Sequence, residues 1–127
     1  MMNGYADFPV VRNTFAEASD VLKQDLWQLV TEGSDADLNS TVNTQPVMLT
    51  AGVAVYRAWQ SQNGANPAIM AGHSLGEYTA LVAAGALRFA DALPLVRFRA
   101  QCMQLAVPEG VGGIAAILGL DDDVVRA

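Results

Sequence analysis

Five residues near the middle of the chain, Gly72-His73-Ser74-Leu75-Gly76, restrict its fold more than any other feature. They fit the pattern Gly-x-Ser-x-Gly. A short apolar run, Pro67 to Gly72, leads into them, and a strongly patterned helix from Leu75 to about Ala86 follows. A strand, a sharp turn and a helix in that order make a nucleophile elbow. Small residues at 72 and 76 let the backbone turn tightly and let strand and helix approach. The turn pushes the Ser74 hydroxyl out at a helix N-terminus. Unpaired N–H groups there, including that of Leu75, are able to stabilise an oxyanion. An ordinary glycine-rich strand–helix turn satisfies the same five residues, so the pattern leaves both readings open.

The flanking sequence supplies helices. Val11, Phe15, Ala18, Leu22, Leu26 and Leu29 recur at three- and four-residue steps between Phe8 and Val30, with a possible break near Lys23 or Gln24. Gly33 to Thr44 is polar and turn-rich and reads as a loop. Pro46 is expected to open the next helix, in whose first turn proline is tolerated. Met48, Ala51, Val55, Ala58 and Trp59 should face one way, with Leu49, Val53 and Tyr56 widening the arc; Asn63-Gly64 ends it. Gly85 or Leu87-Arg88 separates the post-elbow helix from another, roughly Phe89 to Val107, with Asp91 near its start and Pro94 tolerable if it falls in the first turn. Gly112 to Gly119 reads as a buried strand. Asp121 to Arg126 reads as the opening of a further helix, its acids favoured by the dipole. The expected fold class is therefore α/β, helices around a parallel sheet, with strands near 67–72 and 112–118. A chain ending inside a helical turn is expected to be a truncated one.

Composition points the same way. Charged residues are 16% of the chain, against roughly a quarter in an average soluble domain. So few charges fit segments buried on several sides, an interior piece of a larger domain. The net charge of −6 comes with no basic run, which argues against nucleic-acid binding. The dispersed acids serve solubility. Cys102 is the single cysteine; it permits no internal disulfide and no cysteine-based metal cluster, and it fits a reducing cytoplasm. Met1 to Tyr5 does not resemble a signal peptide. The apolar stretches stop well short of the ~20 residues that span a bilayer, so no membrane partner is expected.

A serine nucleophile needs a base. His73 is the one histidine, and adjacent residues at a strand end point in different directions. It therefore reads as a support of the elbow, and the base must come from elsewhere if Ser74 is catalytic. Arg99 lies among Leu95, Val96, Cys102 and Met103 at helical spacing, on a face expected to be buried. A buried guanidinium needs an anion, and Arg grips a carboxylate with two parallel bonds. A substrate carboxylate and an internal Asp or Glu are both open as partners. Arg97 points elsewhere and reads as structural or exposed. Glu77 suits the helix N-terminus, and Gln45 could cap its helix or reach a ligand. Trp27 and Trp59 read as packed or semi-buried. No metal site is expected.

The run Ala71-Gly72-His73-Ser74-Leu75-Gly76-Glu77-Tyr78-Thr79-Ala80-Leu81 resembles the active-site signature of the bacterial malonyl-CoA:acyl-carrier-protein transacylases. Phe15 to Ser19, Asp25-Leu26-Trp27, Thr44-Gln45-Pro46 and Ala106 to Gly110 are similar to further family segments, in family order. The resemblance covers about Phe8 to Arg126. It implies that residues 1–127 are part of the large α/β acyltransferase domain, without its ferredoxin-like subdomain. It implies a ping-pong transfer of malonyl from malonyl-CoA to the phosphopantetheine thiol of acyl carrier protein, in fatty-acid synthesis and with no cofactor. In it Ser74 is acylated and Leu75 gives an oxyanion-hole N–H. Arg99 binds the malonyl carboxylate, Gln45 lines the same pocket, and His73, Gly72 and Gly76 support the turn. The family's first strand, with its Phe-Pro-Gly-Gln-Gly-Ser-Gln-like segment, has no match here, nor has its catalytic histidine. The chain alone is therefore expected to transfer malonyl poorly. A serine esterase or thioesterase, and a non-catalytic carrier-protein-binding remnant, are the contrasting readings.

Overall fold

The computed structural model describes residues 2–107, 110–112 and 117–126. A short 3-10 helix at Asn3–Tyr5 leads into seven α-helices among these residues: α1 Pro9–Leu22, α2 Leu26–Glu32, α3 Asp35–Asn39, α4 Thr41–Ser61, α5 Leu75–Ala83, α6 Phe89–Ala106 and α7 Asp122–Arg126.

The apolar stripe of α1 does what its spacing predicts: Val11, Phe15 and Ala18 are fully buried. The break falls at Lys23, whose backbone takes the left-handed conformation (φ 54°) and caps α1 on the Ser19 carbonyl. Ser19 closes the corner, donating from Oγ to the Phe15 carbonyl (2.7 Å) and accepting from the Leu26 N–H (3.0 Å). Asp25 then caps α2 by accepting from the Gln28 N–H at 2.8 Å. Leu26 is buried behind the corner, and Trp27 meets Phe15 edge-on with Arg12 over its other side.

Helix α4 is the hub and packs against α1, α5 and α6. Val47, Leu49, Val53 and Ala54 meet Leu93 and Val96 of α6 in one core. Gly52 lets α5 come close: a Cβ there would stand 2.7 Å from Thr79 Cγ2. Arg57 lies over the Phe89 ring and pairs with Glu17 at 2.6 Å.

Four expectations need correction. The Gly33–Thr44 stretch is not a loop. Ser34 accepts from the Asp37 N–H and starts α3, so the residues that read as a turn are an N-cap followed by a helix's acidic first turn. Pro46 and Pro94 lie inside α4 and α6, not in their first turns. The buried face of α4 is centred on Val47, Thr50, Ala54 and Ala58, while Met48, Val55 and Trp59 are exposed. Trp59 instead lies over the turn at Gly64 and donates from Nε1 to the Ala65 carbonyl. Finally, Pro67–Gly72 carries no strand, and no described residue is in a sheet. A strand is held by a ladder to its neighbour, and none of the described residues offers one. The strand expected near 112–118 falls mostly outside the described residues.

Candidate active site

The elbow is built by its glycine. A Cβ on Gly72 would stand 2.0 Å from the backbone of Gly76, so only glycine lets the incoming chain lie against the first turn of α5. A Cβ on Gly76 would meet no described atom; the close approach is set at 72 alone. The Gly76 N–H closes the turn on the His73 carbonyl at 2.8 Å. Ser74, the residue before α5, is held at φ 53°, ψ −113°, a region that side chains rarely occupy. Its side chain is exposed. The Leu75 N–H makes no backbone hydrogen bond among the described residues and is left as a donor beside the hydroxyl.

Three distant segments converge there. Arg99 of α6 donates from Nη2 to Ser74 Oγ at 2.9 Å and from Nη1 to Gln45 Oε1 at 2.6 Å. Gln45, in the first part of α4, is buried, and its Nε2 reaches Met103 Sδ at 3.4 Å. No carboxylate pairs with Arg99 among the described residues. A cavity of about 600 Å³ opens over the group, walled by Asn39, Thr41, Thr44 and Met48 on one side and His73 to Gly76 and Thr79 on the other.

The sequence expected Arg99 on a buried face. It is half-buried, and Leu95, Cys102 and Met103 beside it are exposed: Arg99 and Met103 open onto the cavity, and of the four neighbours Val96 is the one that is buried. The choice left open for Gln45, cap or ligand contact, resolves as a contact to the arginine. The Ser74 hydroxyl is bonded to Arg99 and not to His73, which is exposed. Tyr78, under the guanidinium with its ring centre 5.8 Å from it, was missed. So was Met103. Both stand one turn beyond a recognised residue, Ser74 and Arg99 respectively, and that spacing was the available signal.

Chemically, the arrangement offers a hydroxyl at a helix start, with an N–H beside it and a guanidinium that, among the described residues, have no backbone acceptor and no carboxylate respectively. Because Arg99 donates to Ser74 Oγ, the serine's own proton remains available to a base. Among the described residues no group of three or more His, Cys, Asp or Glu could hold a metal ion, and no helix is long and apolar enough to cross a membrane.

The family model described as acyl transferase domain matches residues 2–126. The malonyl CoA-acyl carrier protein transacylase of Escherichia coli (strain K12) is 60% identical over 117 residues, which are 92% of this chain and 38% of that protein. The enzyme of the same name from Salmonella typhimurium is 59% identical over the same shares. The chain thus spans about two fifths of the length of the curated relatives it matches. The crystal structure of an acyl-carrier-protein S-malonyltransferase from Burkholderia pseudomallei superposes with a TM-score of 0.93 at 69% identity, over 98% of this chain and 41% of that one. A malonyl-transacylase solved in complex with a type II PKS acyl-carrier protein aligns at 0.79 and 58% identity, over 81% and 33%. With the family model covering nearly every residue and the backbone superposing on solved acyltransferases, the chain belongs to the acyl transferase domain family.

Proposed function

We propose that this chain carries the acyl-accepting half of a malonyl-CoA:acyl-carrier-protein transacylase. The observation behind the reading is the Arg99 guanidinium, which stands 2.9 Å from Ser74 Oγ and pairs with no carboxylate among the described residues. A cation so placed suits a substrate whose acyl group ends in a carboxylate a few atoms from the carbonyl under attack. Malonyl fits that description, and the names of the relatives agree with it.

In the first half-reaction Ser74 Oγ attacks the thioester carbonyl of malonyl-CoA. The Leu75 N–H donates to the oxygen that gains charge. The C–S bond breaks, CoA leaves as its thiol with the proton taken from Ser74, and a malonyl ester remains on the serine. In the second, the phosphopantetheine thiol of acyl carrier protein attacks that ester, and Ser74 recovers its proton. Arg99 holds the malonyl carboxylate and Gln45 holds Arg99. His73 is the chain's one histidine and is not bonded to Ser74, so the proton carrier belongs to a group outside the described residues. Residues 1–127 prepared alone are expected to turn over slowly for that reason. We also read the 1–127 segment as part of a larger α/β domain built on a parallel sheet.

The test uses the full polypeptide with malonyl-CoA and carrier protein, reading acylation by peptide mass. The 72–81 peptide should gain a malonyl group, and Ser74→Ala should abolish it. Arg99→Ala should slow malonylation by about 10–100-fold, the scale of one hydrogen bond to a charge, and spare acetylation from acetyl-CoA. Hydrolysis of uncharged esters that Arg99→Ala leaves untouched would point to an esterase instead. Carrier-protein binding that survives Ser74→Ala, with no adduct on either partner, would point to a binding module.

A further inference from the structure

A line of three polar side chains runs from α6 to the first turn of α4, and none of them touches Ser74. Arg97 donates from Nη1 to the Leu22 carbonyl at 3.2 Å and from Nη2 to Gln24 Oε1. Gln24 Nε2 donates to Asn43 Oδ1 at 3.1 Å, and Asn43 Nδ2 donates to the Asp37 carbonyl at 3.0 Å. The direction of this line is fixed at both ends. Arginine can only donate and a backbone carbonyl can only accept, so each amide between them has a single satisfied orientation. Arg97 is half-buried, and burial lowers its pKa from the ordinary arginine value. Among the described residues its acceptors are both neutral.

The segment this line reaches needs an outside tie. Pro46 sits inside α4 and has no N–H, so the Val42 carbonyl lacks its helical donor. The turn ahead of the proline, residues 41–45, is under-bonded, and Gln45 is its last residue. Asn43 anchors that turn from outside; Thr44 Oγ1 shares its one hydrogen between the Leu38 and Ser40 carbonyls just ahead of it. Arg97 and Arg99 lie two residues apart on α6, so they leave the helix on different sides.

We propose that Arg97, Gln24 and Asn43 are positioning residues, a one-way hydrogen-bond relay that holds the first turns of α4 against α6 and thereby keeps Gln45 on the Arg99 guanidinium. The relay rests on the acyl-transfer reading in one step only: that the anion Arg99 awaits is the acyl carboxylate.

Gln24→Glu isolates the relay. A glutamate still accepts from Arg97, and more strongly, but it has no hydrogen for Asn43 Oδ1. In the full polypeptide, Gln24→Glu and Asn43→Ala should each raise the KM for malonyl-CoA on the order of tenfold, about the loss of one hydrogen bond to a charge. The rate of Ser74 acetylation from acetyl-CoA should stay as it is. In a Gln45→Ala background, Asn43→Ala should add almost nothing, because both act through the same contact. Amide hydrogen exchange should quicken at residues 41–45 and not across α1, α2 and α6. A silent Gln24→Glu, additivity of Asn43→Ala with Gln45→Ala, or exchange that quickens everywhere would overturn the relay. If the parent protein forms no malonyl-serine at all, the transfer reading falls. Exchange then still decides the relay, local quickening supporting it and unchanged or global exchange refuting it.

Discussion

Ser74 keeps a side chain in a backbone conformation suited to glycine, φ 53° with ψ −113°. Such residues are held against a cost of order 1–3 kcal/mol by the structure around them. Removing the hydroxyl and removing the strain are therefore separable. Ser74→Ala keeps the Cβ and the strain; Ser74→Gly removes both. Both variants should lose acylation, and the glycine form should be the more stable by roughly 1 kcal/mol in denaturant titration, since glycine's entropy offsets part of the relief. Equal midpoints would mean that the elbow holds no strain. The opposite case lies two residues earlier. Gly72→Ala drives a methyl into the Gly76 backbone, 2.0 Å away, and should cost roughly 3 kcal/mol along with the site. The sequence announced the small residue at 72, because a sharp turn into a helix requires one; it did not announce the positive φ of Ser74. It could not announce the Arg99–Ser74 bond, which joins residues 25 positions apart through helix packing alone.

At the scale of elements, α4 and α5 are held together by a missing methyl. Gly52→Ala should lower stability by about 1–3 kcal/mol through its 2.7 Å approach to Thr79 Cγ2. Thr79→Ser removes that methyl and keeps the hydroxyl. The double variant should recover most of the loss, a coupling that thermal melts of the four proteins would measure. Strictly additive losses would place the strain elsewhere. This contact also shows where sequence reading stopped. Periodicity found α1 because its stripe faces a single core, and Val11, Phe15 and Ala18 are all buried. It misplaced the face of α4 because that helix packs against four others, α1, α3, α5 and α6, so small and polar residues such as Thr50 and Ala54 are buried with the large ones. The Ser34 to Asp37 stretch was read as a turn because a cap and a turn use the same residues. The rise of α4 through Pro46 was hidden because local rules place proline at a helix start, while the tertiary contact of Asn43 with Gln24 supports the turn before it.

For the molecule as a whole, the open question is the apolar surface. Met48 and Val55 of α4 are exposed, and Ile69 is 87% exposed above them. Between α4, residues 67–72 and α5 lies an apolar hollow of about 700 Å³. Phe98 and Leu105 of α6 add to the total. A monomer rarely shows a contiguous apolar patch beyond a few hundred Å², so residues 1–127 prepared alone should hide this surface by association. Light scattering should give an apparent mass that rises with concentration, and a hydrophobic dye should brighten on binding. Replacing Val55 and Ile69 by Gln should reduce both signals without changing the helical circular dichroism, because neither side chain belongs to the core. The prediction separates surface from fold. If the two Gln residues abolish helicity, these positions are structural. If the parent chain stays monomeric and dye-silent at every concentration, the hollow between α4, residues 67–72 and α5 closes in solution.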